Sequence, residues 1–308
     1  MQKPPVIKNK TLRSIFRNYE LYLFLVPAIV LIFCFCYIPI YGVQIAFKDY
    51  SVAKGIVGSP WVGFKHFERF FNLAQFWPLL SNTFLLSTLG LIAGFPLPII
   101  LALFLNQMRS KRFKNVLQTV TYMPHFISLV VLVSMLKIFL SPTTGLYAGI
   151  CSLFGAEAQN LMGDPSMFRP IYIISDLWQH TGWNSIIFLA ALAAVDPALY
   201  ESAMIDGAGK MKRILYIDLH SIAPTCVIML ILSVGNILNV GFDKAFLMQN
   251  SLNSSTSEII STYVYKIGII NTQYSMSAAV GLFNNVINFV LLISVNGISR
   301  RLTETSLW

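Results

Sequence analysis

The chain repeatedly runs for nineteen or more residues without a charge, and that pattern limits its folds more than any motif does. Charge-free stretches occupy 21–47, 70–108, 115–136, 177–195, 219–242 and 267–299. A helix needs about 20 mostly apolar residues to cross a bilayer. One acidic or basic residue at its centre costs roughly 2.5–3.5 kcal/mol on the insertion scale. Absence on this scale is selective, and only 11% of the residues are charged against 56% apolar. The pattern predicts an all-α integral membrane protein with six spans near 21–46, 80–105, 116–139, 171–194, 222–246 and 276–298. Pro27, Pro39, Pro96, Pro98 and Pro124 fall inside these spans. Neighbouring helices can satisfy the carbonyls that they free.

Lys and Arg set the expected orientation. Six spans put both termini on one side, with the loops holding Arg109–Lys114 and Lys210–Arg213. That side carries fourteen basic residues against six on the other. The positive-inside rule therefore predicts cytoplasmic termini in a plasma (inner) membrane. The expected organisation is a cytoplasmic segment 1–20, a transmembrane domain 21–298 and a cytoplasmic tail 299–308. The net charge of +9 is then a topology signal. The basic residues are scattered over short loops, which argues against nucleic-acid binding. The first apolar run is too long for a signal-peptide core and has no cleavage site after it. Cys34, Cys36, Cys151 and Cys226 show no metal or disulfide pattern.

Residues 199–224, LYESAMIDGAGKMKRILYIDLHSIAP, interrupt the apolar background. Glu201, Asp206, Lys210, Lys212, Arg213 and Asp218 crowd into one connector. The GAGK within it is not a nucleotide-binding loop. Met211 follows Lys210 where Ser or Thr is required, and Met204 stands where the first Gly belongs. His66, His125, His180 and His220 each stand alone in sequence, and no HExxH or GxSxG occurs. Locally, Asp196 is a good N-cap and Pro197 suits the first helical position. A short helix is expected from Pro197 to about Ile205, broken at Asp206-Gly207 because Gly takes a positive φ cheaply. A second short helix is expected after Ala208, joining the fifth span near Pro224. Such a corner can dock another protein, or lie on the membrane as an interfacial hairpin.

Glu201-Ser202-Ala203, three residues, Gly207, nine residues, then Ile217-Asp218-Leu219 resembles the EAA loop of permease subunits in binding-protein-dependent ABC importers. Ser202 replaces one Ala of that pattern, and His220 stands where Pro is usual. GSPWVGFKHFERFF, GWNSIIFLAALAAVDPALYESAMIDGA, NVGFDKAFLMQN and TSEIISTYVYKIGI extend the resemblance along the chain. They look MalF/UgpA-like, and most like the LplB-type polysaccharide and oligosaccharide branch. The resemblance implies the MetI-like type I fold and one non-catalytic half of a pore. It implies a second, homologous permease as partner, usually in a heterodimer. Two cytoplasmic ATPases would use the ATP, and an extracytoplasmic solute-binding protein would deliver an oligosaccharide. No cofactor is expected on this chain. The loop 196–221 would couple to the ATPase through Glu201, Ser202, Ala203, Asp206, Gly207, Ala208, Ile217 and Leu219.

Polar side chains within spans tend to face cavities. Trp183 and Asn184, Asn236 and Asn239, and Asn284 and Asn288 are therefore candidates for the sugar path, with interhelical hydrogen bonding as the competing role. Asp243-Lys244 reads as a solvated ion pair at the outer end of the fifth span. An ATPase-independent carrier or channel remains the alternative. It would be expected to hold ion-coupling carboxylates or inverted repeats, and Asp176 is the one candidate.

Overall fold

Helix dominates the computed structural model, which describes residues 17–303 apart from Val240, together with Ser306. Among these residues the one β feature is an isolated bridge between Lys48 and Trp61. The first long helix is α1 (Tyr19–Phe47), followed by the short α2 (Lys65–Phe71) and the long α3 (Phe76–Asn106). Next come α4 (Lys111–Phe126), α5 (Leu129–Phe139) and the short α6 (Leu146–Leu153). The helices α7 (Pro165–Ala193), α8 (Pro197–Ile205) and α9 (Lys210–Gly235) form the middle of the chain. It closes with α10 (Phe242–Met248), α11 (Ile260–Ile270) and α12 (Tyr274–Thr303). The basic N-terminal residues Lys3, Lys8, Lys10 and Arg13, and most of the tail beyond Thr303, lie outside the described residues.

Four helices are long and apolar enough to cross a membrane alone, and two bent pairs bring the number to six among the described residues. The third expected span, 116–139, is one of these pairs: α4 and α5 meet at 96°. Pro124 has no amide to continue the ladder, and Ile127 and Ser128 are extended. The freed Ile127 carbonyl accepts from Gln179 Nε2 on α7 at 2.9 Å. Ser128 Oγ caps α5 by accepting from the Val131 amide. The fifth expected span, 222–246, also differs. The helix α9 starts earlier, at Lys210, and ends at Gly235, and Asn236–Asn239 and Gly241 lie outside any helix before α10. Pro224 sits inside α9, and a π-helical stretch at Ile214–Asp218 precedes it.

One helix threads the three buried clusters. Phe76 and Leu79 of α3 pack with Phe70, Ile267 and Val280. Leu86 joins Val133, Phe168, Tyr172 and Ile259. Ala102 joins Phe188, Leu192 and Ile222 near the α8 end. The helix α4 lies tight on α7 because Gly182 leaves room for the Thr121 backbone. The helix α1 is the opposite case. None of residues 19–40 is buried, and only its 38–47 end packs on α12.

Candidate functional site

Two cavities open among α3, α7 and α9. The larger, about 700 Å³, is lined by Gly90, Gly94 and Pro98 of α3, Asp176, Trp183 and Asn184 of α7, and Ser233 of α9. The second, about 510 Å³, shares Gly90, Leu91, Asp176 and Ser233 with it and adds Gln179, His180, Asn236, Asn239, Asp243 and Lys244. The shared residues make the two cavities one groove, apolar over much of its lining and polar along one wall.

The groove's polar wall comes from one face of α7. Asp176, Gln179, His180 and Trp183 are spaced three or four residues apart, which aligns them on a helix. Trp183 stacks flat on His125 of α4, with centroids 4.4 Å apart and planes 4° from parallel. Phe126 meets the indole edge-on. Asp176 Oδ1 lies 3.1 Å from Lys244 Nζ and 3.4 Å from His180 Nδ1. The lysine's ammonium also donates to the Tyr172 carbonyl at 3.0 Å and sits 4.6 Å above that ring. Lys244 thus pairs with Asp176 rather than with Asp243, and it is buried at 2% exposure instead of being solvated. Burial of the ammonium is tolerable because a carboxylate, a carbonyl and an aromatic face surround it.

The sequence candidates separate here. Trp183 and Asn184 line the larger cavity, and Asn236 and Asn239 the smaller. Asn284 and Asn288 line neither. Each donates to Asn239 Oδ1 at 3.1 Å, and Asn288 Oδ1 accepts from the Leu238 amide. They fasten α12 to the link after α9, the interhelical role that polar residues play in membranes. Asp176, His180, Gln179 and Lys244 were missed as a group. The signal for the first three was their common helical face. The pairing with Lys244 spans 68 residues of sequence.

At the other end of the groove's helices is a projecting corner. A 72° bend separates α7 from α8. Asp196 Oδ1 accepts from the Ala198 amide at 2.9 Å and starts the new helix, with Pro197 first. Its end is a Schellman motif. Ala208 N donates to Ala203 O at 2.8 Å and Gly207 N to Met204 O at 3.1 Å. Gly207 has φ +73°, a conformation that disfavours any Cβ. Glu201, Ser202, Asp206 and Gly207 are exposed, while Ala203 and Ala208 are half-buried. Ile217 is half-buried in the π-helical stretch and Leu219 begins the regular part of α9. The expected second short helix is instead the first turns of α9, which runs on unbroken past His220. Apolar residues crown the corner: Ile205 is 87% exposed, Tyr216 77% and Met211 68%.

Behind the corner sits Asp218, wholly buried. Its carboxylate accepts from Gln107 Nε2 at 2.7 Å, from Asn106 Nδ2 at 3.5 Å and from the Tyr200 hydroxyl. Burial, and then the bond to Asp218, push the Tyr200 hydroxyl up to about 12, so it stays a donor at neutral pH.

A short capped corner and a groove with one polar wall thus share one helical membrane domain. Residues 94–304 match the family described as binding-protein-dependent transport system inner membrane component. The chain belongs to this family of transport permeases. The permease is 42% identical over 292 residues to Protein LplB of Bacillus subtilis (strain 168), covering 95% of this chain and 92% of that one. It is 40% identical over 301 residues to the polygalacturonan/rhamnogalacturonan transport system permease protein YteP of the same organism, covering 98% and 94%. Among solved structures, a chain of a bacterial alginate ABC transporter, in complex with alginate pentasaccharide-bound periplasmic protein, superposes with a TM-score of 0.89. That chain is 39% identical, and the match covers 97% of the permease and 100% of that chain. The permease therefore has the MetI-like importer fold and is an integral membrane protein.

Proposed function

We propose that the permease forms one half of the translocation path of an importer for oligosaccharides released from polysaccharides. The observation that carries this reading is the groove wall. An indole, an amide and a carboxylate from Trp183, Asn184 and Asp176 converge on one open cavity. A pyranose offers apolar C–H faces to an aromatic ring and hydroxyls to polar acceptors, so this wall suits it. The names of the relatives, which refer to polygalacturonan, rhamnogalacturonan and alginate, support the same class.

The second half of the path is a homologous permease, in a heterodimer. Support comes from α1, where residues 19–40 are apolar for the most part and none of them is buried in its own chain. Membrane lipid covers what the partner leaves exposed. The permease itself catalyses nothing and holds no cofactor. ATP is hydrolysed by two cytoplasmic ATPases that receive the corner at Glu201–Ala208, and a solute-binding protein delivers sugar from outside. Both termini lie in the cytoplasm. This fits the shared location of Asn106, Gln107 and Tyr200 around Asp218, which puts the basic loop after α3 beside the corner. The segments 1–20 and 299–308 flank the transmembrane domain 21–298, with the coupling loop at 196–221.

An ATPase-independent carrier would find its ion-coupling group in Asp176. Lys244, 3.1 Å away, already neutralises that carboxylate. Proteoliposomes decide between the readings. Oligosaccharide uptake that requires ATPase, ATP and binding protein, and that drops about tenfold in Trp183→Ala, supports the import reading. Undiminished uptake by the permease alone overturns it.

A further inference from the structure

Resting on the importer reading, we infer that Asp218 is a positioning residue, a buried latch that makes the coupling corner and the groove move as one body. The carboxylate is at 0% exposure, and its hydrogen-bond donors come from two other elements. Tyr200 belongs to α8, the helix that would meet the ATPase. Asn106 and Gln107 end α3. Asp218 itself belongs to α9, at the end of the π-helical stretch.

Each tied helix leads to the groove. Gly90, Gly94 and Pro98 of α3 and Met229 and Ser233 of α9 line it. The third wall, α7, is joined to α8 through only residues 194–196. A push on α8 alone would be absorbed at that 72° bend. The latch spreads the push onto α3 and α9 before the bend can yield.

Local sequence marks none of this. In the EAA-like pattern, Asp218 occupies the unspecified position between Ile217 and Leu219. The π-helical stretch supplies the geometry. One residue inserted into the turn shifts the helical register, and in α9 that stretch ends with Asp218 facing inward, away from the exposed Tyr216 and Leu219. A buried carboxylate is held by charge-assisted hydrogen bonds, which are stronger and more directional than neutral ones. Apolar packing could hold the same helices together, but it tolerates sliding better than three converging hydrogen bonds do.

The test uses the complete importer in proteoliposomes, with sugar uptake and ATP hydrolysis measured in the same vesicles. Tyr200→Phe removes one hydroxyl and keeps the ring, and Asp218→Asn keeps the side-chain shape. For each variant the ATPase that co-purifies is quantified first. The expected result is retained ATPase, hydrolysis within about twofold of wild type, and ATP consumed per sugar raised about tenfold, within the usual span of coupling energies. The double variant should be no worse than Asp218→Asn alone, because both changes cut one connection. Uptake and hydrolysis falling in proportion would overturn the latch, as would an unchanged ratio in both variants. Failure of the import reading itself is distinct: the wild type would then show no ATP-dependent uptake.

Discussion

Substitution of Gly207 can separate the internal mechanics of the coupling corner from its contact with a partner. The residue has φ +73°, and no heavy atom lies within 4 Å of where its Cβ would stand. An L-residue in this conformation costs roughly 1–2 kcal/mol in backbone strain. No steric clash within the chain adds to it. Gly207→Ala and Gly207→Trp should therefore destabilise the isolated permease alike, by a melting shift of about 2–4 °C in detergent. Gly207→Asn should cost less, since Asn tolerates this region. The indole differs only in what it presents outward, beside the exposed Ile205 and Asp206. If the corner sits in a groove of the ATPase, Gly207→Trp should weaken ATPase binding about thirtyfold, equivalent to about 2 kcal/mol. Gly207→Ala should leave binding nearly unchanged. Melting curves and quantitative ATPase pull-downs on the same preparations provide both numbers. Equal loss of ATPase in the Ala and Trp variants would refute the docking argument, since it would trace the loss to backbone strain. Retention in both would refute it as well.

Three further outcomes are expected. The pair Lys244–Asp176 is asymmetric, with side-chain exposures of 3% and 45%. Asp176→Asn, which strands a buried ammonium, should cost about 3–5 kcal/mol, and Lys244→Met clearly less, as thermal melting in detergent would show. Gly182→Ala places a methyl group against the Thr121 carbonyl and backbone and should cost about 1–3 kcal/mol by overpacking, again read from melting. His66, in the short helix α2 between α1 and α3, is held below the ordinary imidazole value of 6.5 chiefly by burial, against the opposing pull of Asp49 and the Lys48 carbonyl. The unfolded chain then binds the proton first. Stability should decline as pH falls from 6.5 toward the folded-state value and level off below it. His66→Gln should flatten that slope in melting curves taken across the range.

The sequence alone determined what depends on local composition and spacing. Charge-free runs specified a helical membrane protein, because a charge at the bilayer centre is costly wherever it lies in the chain. Asp196, Pro197 and Gly207 specified the start and stop of α8, because caps and positive φ are set by a few consecutive residues. Tertiary structure decided the rest. The third span bends by 96° where Gln179, more than fifty residues downstream, accommodates the freed Ile127 carbonyl. The asparagines look alike in sequence, yet Asn236 and Asn239 face the groove while Asn284 and Asn288 clamp α12. Lys244 has an acidic neighbour at Asp243 and pairs with Asp176 instead. Asp218 reads as one more charge in a polar loop until Tyr200, Asn106 and Gln107 close around it. In each case the partner lies far away along the chain or on another helix face. Desolvation makes a buried polar group depend on that partner, and only folding brings the two together.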